Sequence, residues 1–221
     1  MPPGPHLGHD GGVTAPLGGK SYSSKKRRAA RLASLLPESG MRVGLGTGTT
    51  VAFLLPALAE RELEITCVAT SPETERAARA LGLDVRGFDT FDRLDIAIDG
   101  ADQVTPEHWL VKGGGGAHVL EKIVARAADR YVVIVGEDKL VPEIKAPVPL
   151  ELLAYGLQAT LRSLEHASLR DCPPSPDGGV IADWWGPVGD PASISMRLSS
   201  EPGVIGHGLF PPEMVSEVIV G

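Results

Sequence analysis

Three glycine-rich segments of this chain carry residue types that can move protons and hold anions. Lys112-Gly113-Gly114-Gly115-Gly116-Ala117-His118-Val119-Leu120-Glu121 sets an ammonium and a carboxylate on either side of four consecutive glycines. Such a run loses much entropy on folding and makes a poor scaffold unless backbone must approach something closely. Its amides can line a pocket, Lys112 can neutralise a developing oxyanion, and Glu121 can act as a base beside them. Without the glycines Glu121 would read as an ordinary surface glutamate. His118 fits a packed or solvated histidine as well as it fits a base.

Asp99-Gly100-Ala101-Asp102 follows an apolar run, Asp95-Ile96-Ala97-Ile98. Two carboxylates three positions apart can bind hydroxyls, move protons or hold a metal; Asp99 is also placed to cap a helix. No His or Cys cluster accompanies the pair, so no metal is expected. Gly44-Leu45-Gly46-Thr47-Gly48-Thr49-Thr50 offers glycines, hydroxyls and the start of a helix, which suits phosphate. A plain strand-to-helix turn fits it too. The spacing is not that of a dinucleotide loop, because Thr49 stands where the third glycine belongs, and the Gly-Lys-Ser/Thr of a Walker loop is missing.

The elements around these segments alternate. Hydrophobic spacing predicts a helix over 24–36, a strand over 41–45, a helix to about Ala59, a strand over 65–69 and a helix opening at Ser71-Pro72. A strand over 95–98, a helix over 119–128 and a strand over 131–135 follow. Strand–helix alternation through short loops predicts an α/β fold, a mostly parallel, Rossmann-like sheet flanked by helices, whose strand ends carry the three segments. After about Pro147 the texture changes: a helix is predicted over 152–164, a strand over 180–185 and a short helix over 193–198. This predicts a smaller α+β domain at 146–209, with the strand 217–220 returning to the main sheet. The catalytic unit is then 20–145 plus 210–221, and residues 1–19, rich in Gly, Pro and His, read as a disordered extension.

Net charge is −7, from 21 basic and 28 acidic residues, which disfavours non-specific nucleic-acid binding. The basic run Lys25-Lys26-Arg27-Arg28 reads as the solvated face of a helix, from which one lysine can still face a phosphate. No stretch is apolar enough to span a membrane, the start lacks a secretory signal, and Cys67 and Cys172 make no disulfide framework; a cytoplasmic protein is expected.

With the three segments assembled, the chain resembles A-type ribose-5-phosphate isomerase. The resemblance rests on Gly46-Thr47-Gly48-Thr49-Thr50, Asp99-Gly100-Ala101-Asp102, and Lys112 to Ala117 followed by Glu121-Lys122-Ile123-Val124. Cys67-Val68-Ala69-Thr70-Ser71, Asp138-Lys139-Leu140-Val141 and Pro147-Val148-Pro149-Leu150-Glu151 extend it, so that it covers 25–151 well and the remainder faintly. It implies interconversion of ribose 5-phosphate and ribulose 5-phosphate, in the non-oxidative pentose phosphate pathway, without metal or organic cofactor. Carried over by motif, Glu121 is the base and Asp99 assists ring opening. Asp102 and Lys112 hold hydroxyls and stabilise the enediolate, and Gly100, Ala101, Gly113, Gly114 and Gly115 line the pocket. Thr47, Gly48, Thr49 and Thr50 bind phosphate with Lys139 and Lys26. A homodimer or homotetramer is implied as well. Gln103, Leu120 and His118-Val119 depart from the usual pattern, and Trp184-Trp185 has no clear counterpart. Two other readings are a sensor that binds sugar phosphate without turnover and an isomerase of a modified pentose phosphate. An acyl-CoA transferase-like enzyme would need a nucleophilic carboxylate motif that is not seen.

Overall fold

The computed structural model describes residues 18–221, with side chains from residue 23 onward. The extension predicted at 1–19 therefore lies outside the described residues, except that Gly18 and Gly19 begin the first helix. In chain order the elements are α1 (Gly18–Ala33), β1 (Arg42–Leu45), α2 (Val51–Ala59), β2 (Thr66–Ala69), α3 (Pro72–Ala80), β3 (Asp84–Val85) and β4 (Leu94–Asp99). Then come β5 (Gln103–Val104), β6 (Leu110–Val111), α4 (His118–Ala127), β7 (Ala128–Val135), β8 (Val148–Leu152), α5 (Leu157–Leu164) and β9 (Ala167–Leu169). The chain continues through β10 (Val180–Trp184), α6 (Pro191–Ser199), β11 (Val204–His207), β12 (Leu209–Phe210) and β13 (Glu217–Val220).

Six parallel strands form the main sheet in the order β13-β7-β4-β1-β2-β3. The expected mostly parallel sheet is what the chain forms, the smaller α+β part proves to be built on an antiparallel sheet, and β13 does return beside β7. Strand β7 shows why both faces must be covered. Val132 and Ile134 face a core shared with Ala29, Ala30, Leu54 and Leu58 from α1 and α2. Tyr131, Val133 and Val135 face the other core, with Val124 and Ala125 of α4 and Phe210. A strand buried on both sides reads as a continuous apolar run, as Tyr131 to Val135 does.

Sequence order reverses between β1 and β4: one direction leads through β2 to β3, the other through β7 to β13. The loops leaving β1 and β4 thus diverge and open a crevice at the carboxyl ends of the strands, where such sheets hold ligands.

A four-stranded sheet, β11-β8-β10-β9, and a three-stranded one, β12-β6-β5, complete the fold. The predicted helix over 152–164 is corrected here. Leu152 ends β8, and the helix begins only at Leu157, after Gly156 at φ 71°. Val148 to Leu152 are all buried because β8 lies between β11 and β10, and a fully buried strand resembles a buried helix in composition. Trp184 sits in the small core with Leu150, Leu164 and Leu198, whereas Trp185 is exposed.

Candidate active site

The threonine loop is held from beneath. The Thr74 hydroxyl donates to the Gly46 carbonyl at 3.0 Å, and the Thr47 and Thr70 hydroxyls are 2.9 Å apart. Thr70, just after β2, stands in the segment Cys67-Val68-Ala69-Thr70-Ser71 that extends the resemblance, but no site role was read for it from the sequence. Gly46 is required by close approach: a Cβ there would lie 1.9 Å from Asp99 Cγ. Gly48, at φ 121°, takes a left-handed backbone that opens the loop before α2. Lys26 of α1 reaches across to donate to Thr49 Oγ1 at 2.8 Å, so one lysine of the basic run does face the loop.

Asp99 caps no helix. Its Oδ1 accepts from the Thr47 amide at 3.2 Å and the Gly100 amide at 2.7 Å, while Oδ2 lies 2.8 Å from Lys112 Nζ. One buried carboxylate thereby ties the loop after β1, the loop after β4 and the lysine after β6. Lys112 also donates to the Gly100 carbonyl at 2.5 Å and stands 3.3 Å from Glu121 Oε2. That last contact has the distance of an ion pair without hydrogen-bond alignment, so Oε2 keeps a lone pair uncommitted.

Charge and burial set the protonation of this group. Burial, then the nearby Asp99 charge, push the Glu121 carboxyl up to about 8 against the pull of Lys112. Burial likewise raises Asp99, with Lys112 opposing. For Lys112 burial disfavours the ammonium, but Asp99 and Glu121 outweigh it and hold the charge well above the ordinary range. Two carboxylates sharing one buried ammonium leave one of the acids holding its proton near neutral pH, with an affinity close to that pH.

A cavity of about 300 Å³ gathers these pieces. It is lined by Lys26, Thr47, Gly48, Thr49 and Thr50 at one end, and by Gly100, Ala101, Asp102, Lys112, Gly113, Gly114, Gly115 and Glu121 at the other, with Lys139 alongside. Of the residues to which the resemblance gives a site role, Asp99 alone is not on the lining; it lies just behind it, 2% exposed. Asp102 Oδ2 accepts from the Gly114 amide at 2.8 Å, which joins the aspartate loop to the glycine run. His118 is a packed histidine: it is fully buried, and burial, then Lys122, lowers it to about 4, so it is neutral. Lys122 donates to the carbonyls of His207 and Leu209 at 2.7 and 2.8 Å, anchoring α4 to the strands behind it.

This arrangement suits a small polyhydroxylated anion. Hydroxyls and two lysines wait at one end, and an unaligned carboxylate beside a buried ammonium waits at the other. The family model described as ribose 5-phosphate isomerase A (phosphoriboisomerase A) matches residues 66–221. A ribose-5-phosphate isomerase A from Thermomicrobium roseum is 43% identical over 212 residues, spanning 89% of each chain. One from Gluconobacter oxydans is 39% identical, covering 92% of this chain and 95% of its own. Among solved structures, ribose 5 phosphate isomerase A from Neisseria gonorrhoeae superposes with a TM-score of 0.87 at 29% identity, covering 90% of this chain and 93% of that one. A D-ribose-5-phosphate isomerase in complex with phospho-erythronic acid has a TM-score of 0.83 at 34% identity, with 89% and 93% covered.

Proposed function

The chain belongs to the ribose 5-phosphate isomerase A family and is an isomerase of that class, and from this we propose that Glu121 carries the proton between C2 and C1 of the open-chain pentose. The observation that carries the assignment is the Glu121 carboxyl, buried on the cavity wall, held near 8, and 3.3 Å from the Lys112 ammonium.

The proton beside a carbonyl is too weakly acidic for a lone carboxylate, so the anion must be stabilised as it forms. Lys112, already desolvated and charged, meets the enediolate oxygen, and the amides of the glycine run line the same space. Glu121 takes the C2 proton and returns it to C1, which one carboxylate can do because the carbons are adjacent. A base with a proton affinity near the working pH is efficient in both directions, and positioning one contributes roughly 10²–10⁴-fold. Help with ring opening comes from the aspartates: Asp102 faces the cavity, and Asp99 engages Lys112 behind it. Thr47, Gly48, Thr49 and Thr50 with Lys26 and Lys139 hold the phosphate, and that remote anchor orients the reacting carbons.

We further infer a place in the non-oxidative pentose phosphate pathway and a cytoplasmic homodimer or homotetramer. The free thiols of Cys67 and Cys172 support the compartment, and an open apolar face with Ile123 and Ile205 supports self-association. The reading also divides the chain at about 145 and 210, supported by the separate core around Trp184.

Purified chain with ribose 5-phosphate tests the assignment. Glu121→Gln is expected to bind the sugar phosphate and lose turnover by at least about 10³-fold. In the parent, kcat/KM should rise with pH and level off above about 8, since the base acts ionised. Normal turnover by Glu121→Gln would end the proposal.

A further inference from the structure

We propose that Arg170, on the small sheet, is a positioning residue for the isomerisation, fixing the peptide planes of the four-glycine loop and, through the Gly114 amide, the Asp102 carboxylate at the cavity. The inference rests on the reading that this loop and Glu121 carry the reaction.

Arg170 follows β9, and its backbone amide bonds the Ile181 carbonyl on β10 at 3.0 Å. Asp183 of β10 grips the guanidinium at two points, Nε to Oδ2 at 2.9 Å and Nη2 to Oδ1 at 2.5 Å. This bidentate grip leaves Nη1 with one direction to point. It donates to the carbonyl oxygens of Gly113 at 2.8 Å and Gly114 at 3.1 Å.

In a trans peptide the carbonyl and the next amide point in opposite directions. Holding the Gly113 oxygen toward Arg170 therefore turns the Gly114 amide away from it, and that amide meets Asp102 Oδ2 at 2.8 Å. Holding the Gly114 oxygen turns the Gly115 amide away from Arg170 in the same manner, and Gly115 itself borders the cavity close to Thr47. One guanidinium thus sets two consecutive peptide planes, and through Gly114 it sets the Asp102 carboxylate as well.

Glycine makes such a clamp necessary. Gly113, at φ 109°, has no room for a side chain, since a Cβ would lie 2.7 Å from both His118 Nδ1 and Pro149 Cβ. The loop must be glycine to pass there, and glycine by itself holds no conformation. Rigidity has to come from outside the loop, and Arg170 supplies it. Lysine would serve less well: an ammonium lacks the planar fork that meets a carboxylate on one edge and two carbonyls on another.

The experiment measures kcat and KM for ribose 5-phosphate in the parent, Arg170→Ala and Arg170→Lys, with folding followed by circular dichroism. Misaligned amides should lower kcat about 10- to 100-fold in Arg170→Ala, while KM moves less than about threefold because the phosphate end is untouched. Arg170→Lys should fall between the two, and millimolar guanidinium ion added to Arg170→Ala should restore part of kcat. A kcat within about twofold of the parent in both variants overturns the proposal, as does a loss confined to KM. If Arg170→Ala does not fold, Arg170→Lys decides on the same criteria. A parent chain that fails to isomerise the sugar at all refutes the functional reading instead, so the two failures are distinct.

Discussion

Replacing Glu121 by glutamine should make this protein more stable in alkaline solution, and the size of the gain follows from the carboxyl's surroundings. The folded chain keeps the Glu121 proton up to about 8, whereas an ordinary glutamate releases it near 4.5. Between those values the folded state binds more protons than the unfolded one, so the parent loses stability as pH rises through that window. Glutamine has nearly the same shape and no proton to lose, and it escapes the penalty. At about 1.36 kcal/mol per pH unit, the gap between the two proteins should open from near zero at about pH 4.5 to at most about 5 kcal/mol above pH 8. Solvent screening does little to shrink it, because Glu121 is only 5% exposed. Urea unfolding of each protein at about pH 5, 7 and 9 reads the gap directly from the midpoints. Curves that stay within about 1 kcal/mol of each other across that range would refute the buried, proton-retaining carboxylate, and with it the account of how the base is tuned.

Two further outcomes are expected. Gly46→Ala would drive a methyl to 1.9 Å from Asp99 Cγ, so the aspartate must swing away and abandon Lys112, Thr47 and Gly100; thermal unfolding should show a loss of about 3–5 kcal/mol, and an unchanged midpoint would show that the loops are not tied through this carboxylate. Lys26→Ala combined with Lys139→Ala should raise KM for ribose 5-phosphate about 10- to 100-fold with a smaller change in kcat, measured by steady-state kinetics; an unchanged KM would place the phosphate elsewhere.

The sequence announced the residues on the cavity lining but not what holds them. Gly46-Thr47-Gly48, the aspartate pair and the glycine run stood out because glycine and polar residues interrupt apolar strands, a signal local to a few positions. The helix predicted to open at Ser71-Pro72 does so, with the Ser71 side chain accepting from the Thr74 amide as its cap. The role of Asp99 was less legible: its value as a cap and as a three-way tie look the same until β1 and β4 are known to be neighbours. Arg170 was invisible, since its partners in the glycine loop are backbone carbonyls 56 and 57 positions away, and carbonyls have no sequence signature. Strand β8 has no counterpart among the predicted elements, and its last residue falls in the helix predicted over 152–164, because its five buried residues, Val148 to Leu152, carry no alternation from which to tell a strand from a helix.

The return of β13 to β7 bears on how the molecule assembles. The two strands pair in parallel across the whole run 136–216, and closing so long a loop delays their meeting relative to the local pairing of β10 with β8. Until β13 arrives, β7 is a bare edge of Tyr131-Val132-Val133-Ile134-Val135, uncharged and rich in branched side chains. An edge of that kind templates the strands of neighbouring molecules. The yield of native protein on dilution from denaturant is therefore a race between the docking of four residues, Glu217 to Val220, and intermolecular capture of the strand they are meant to cover.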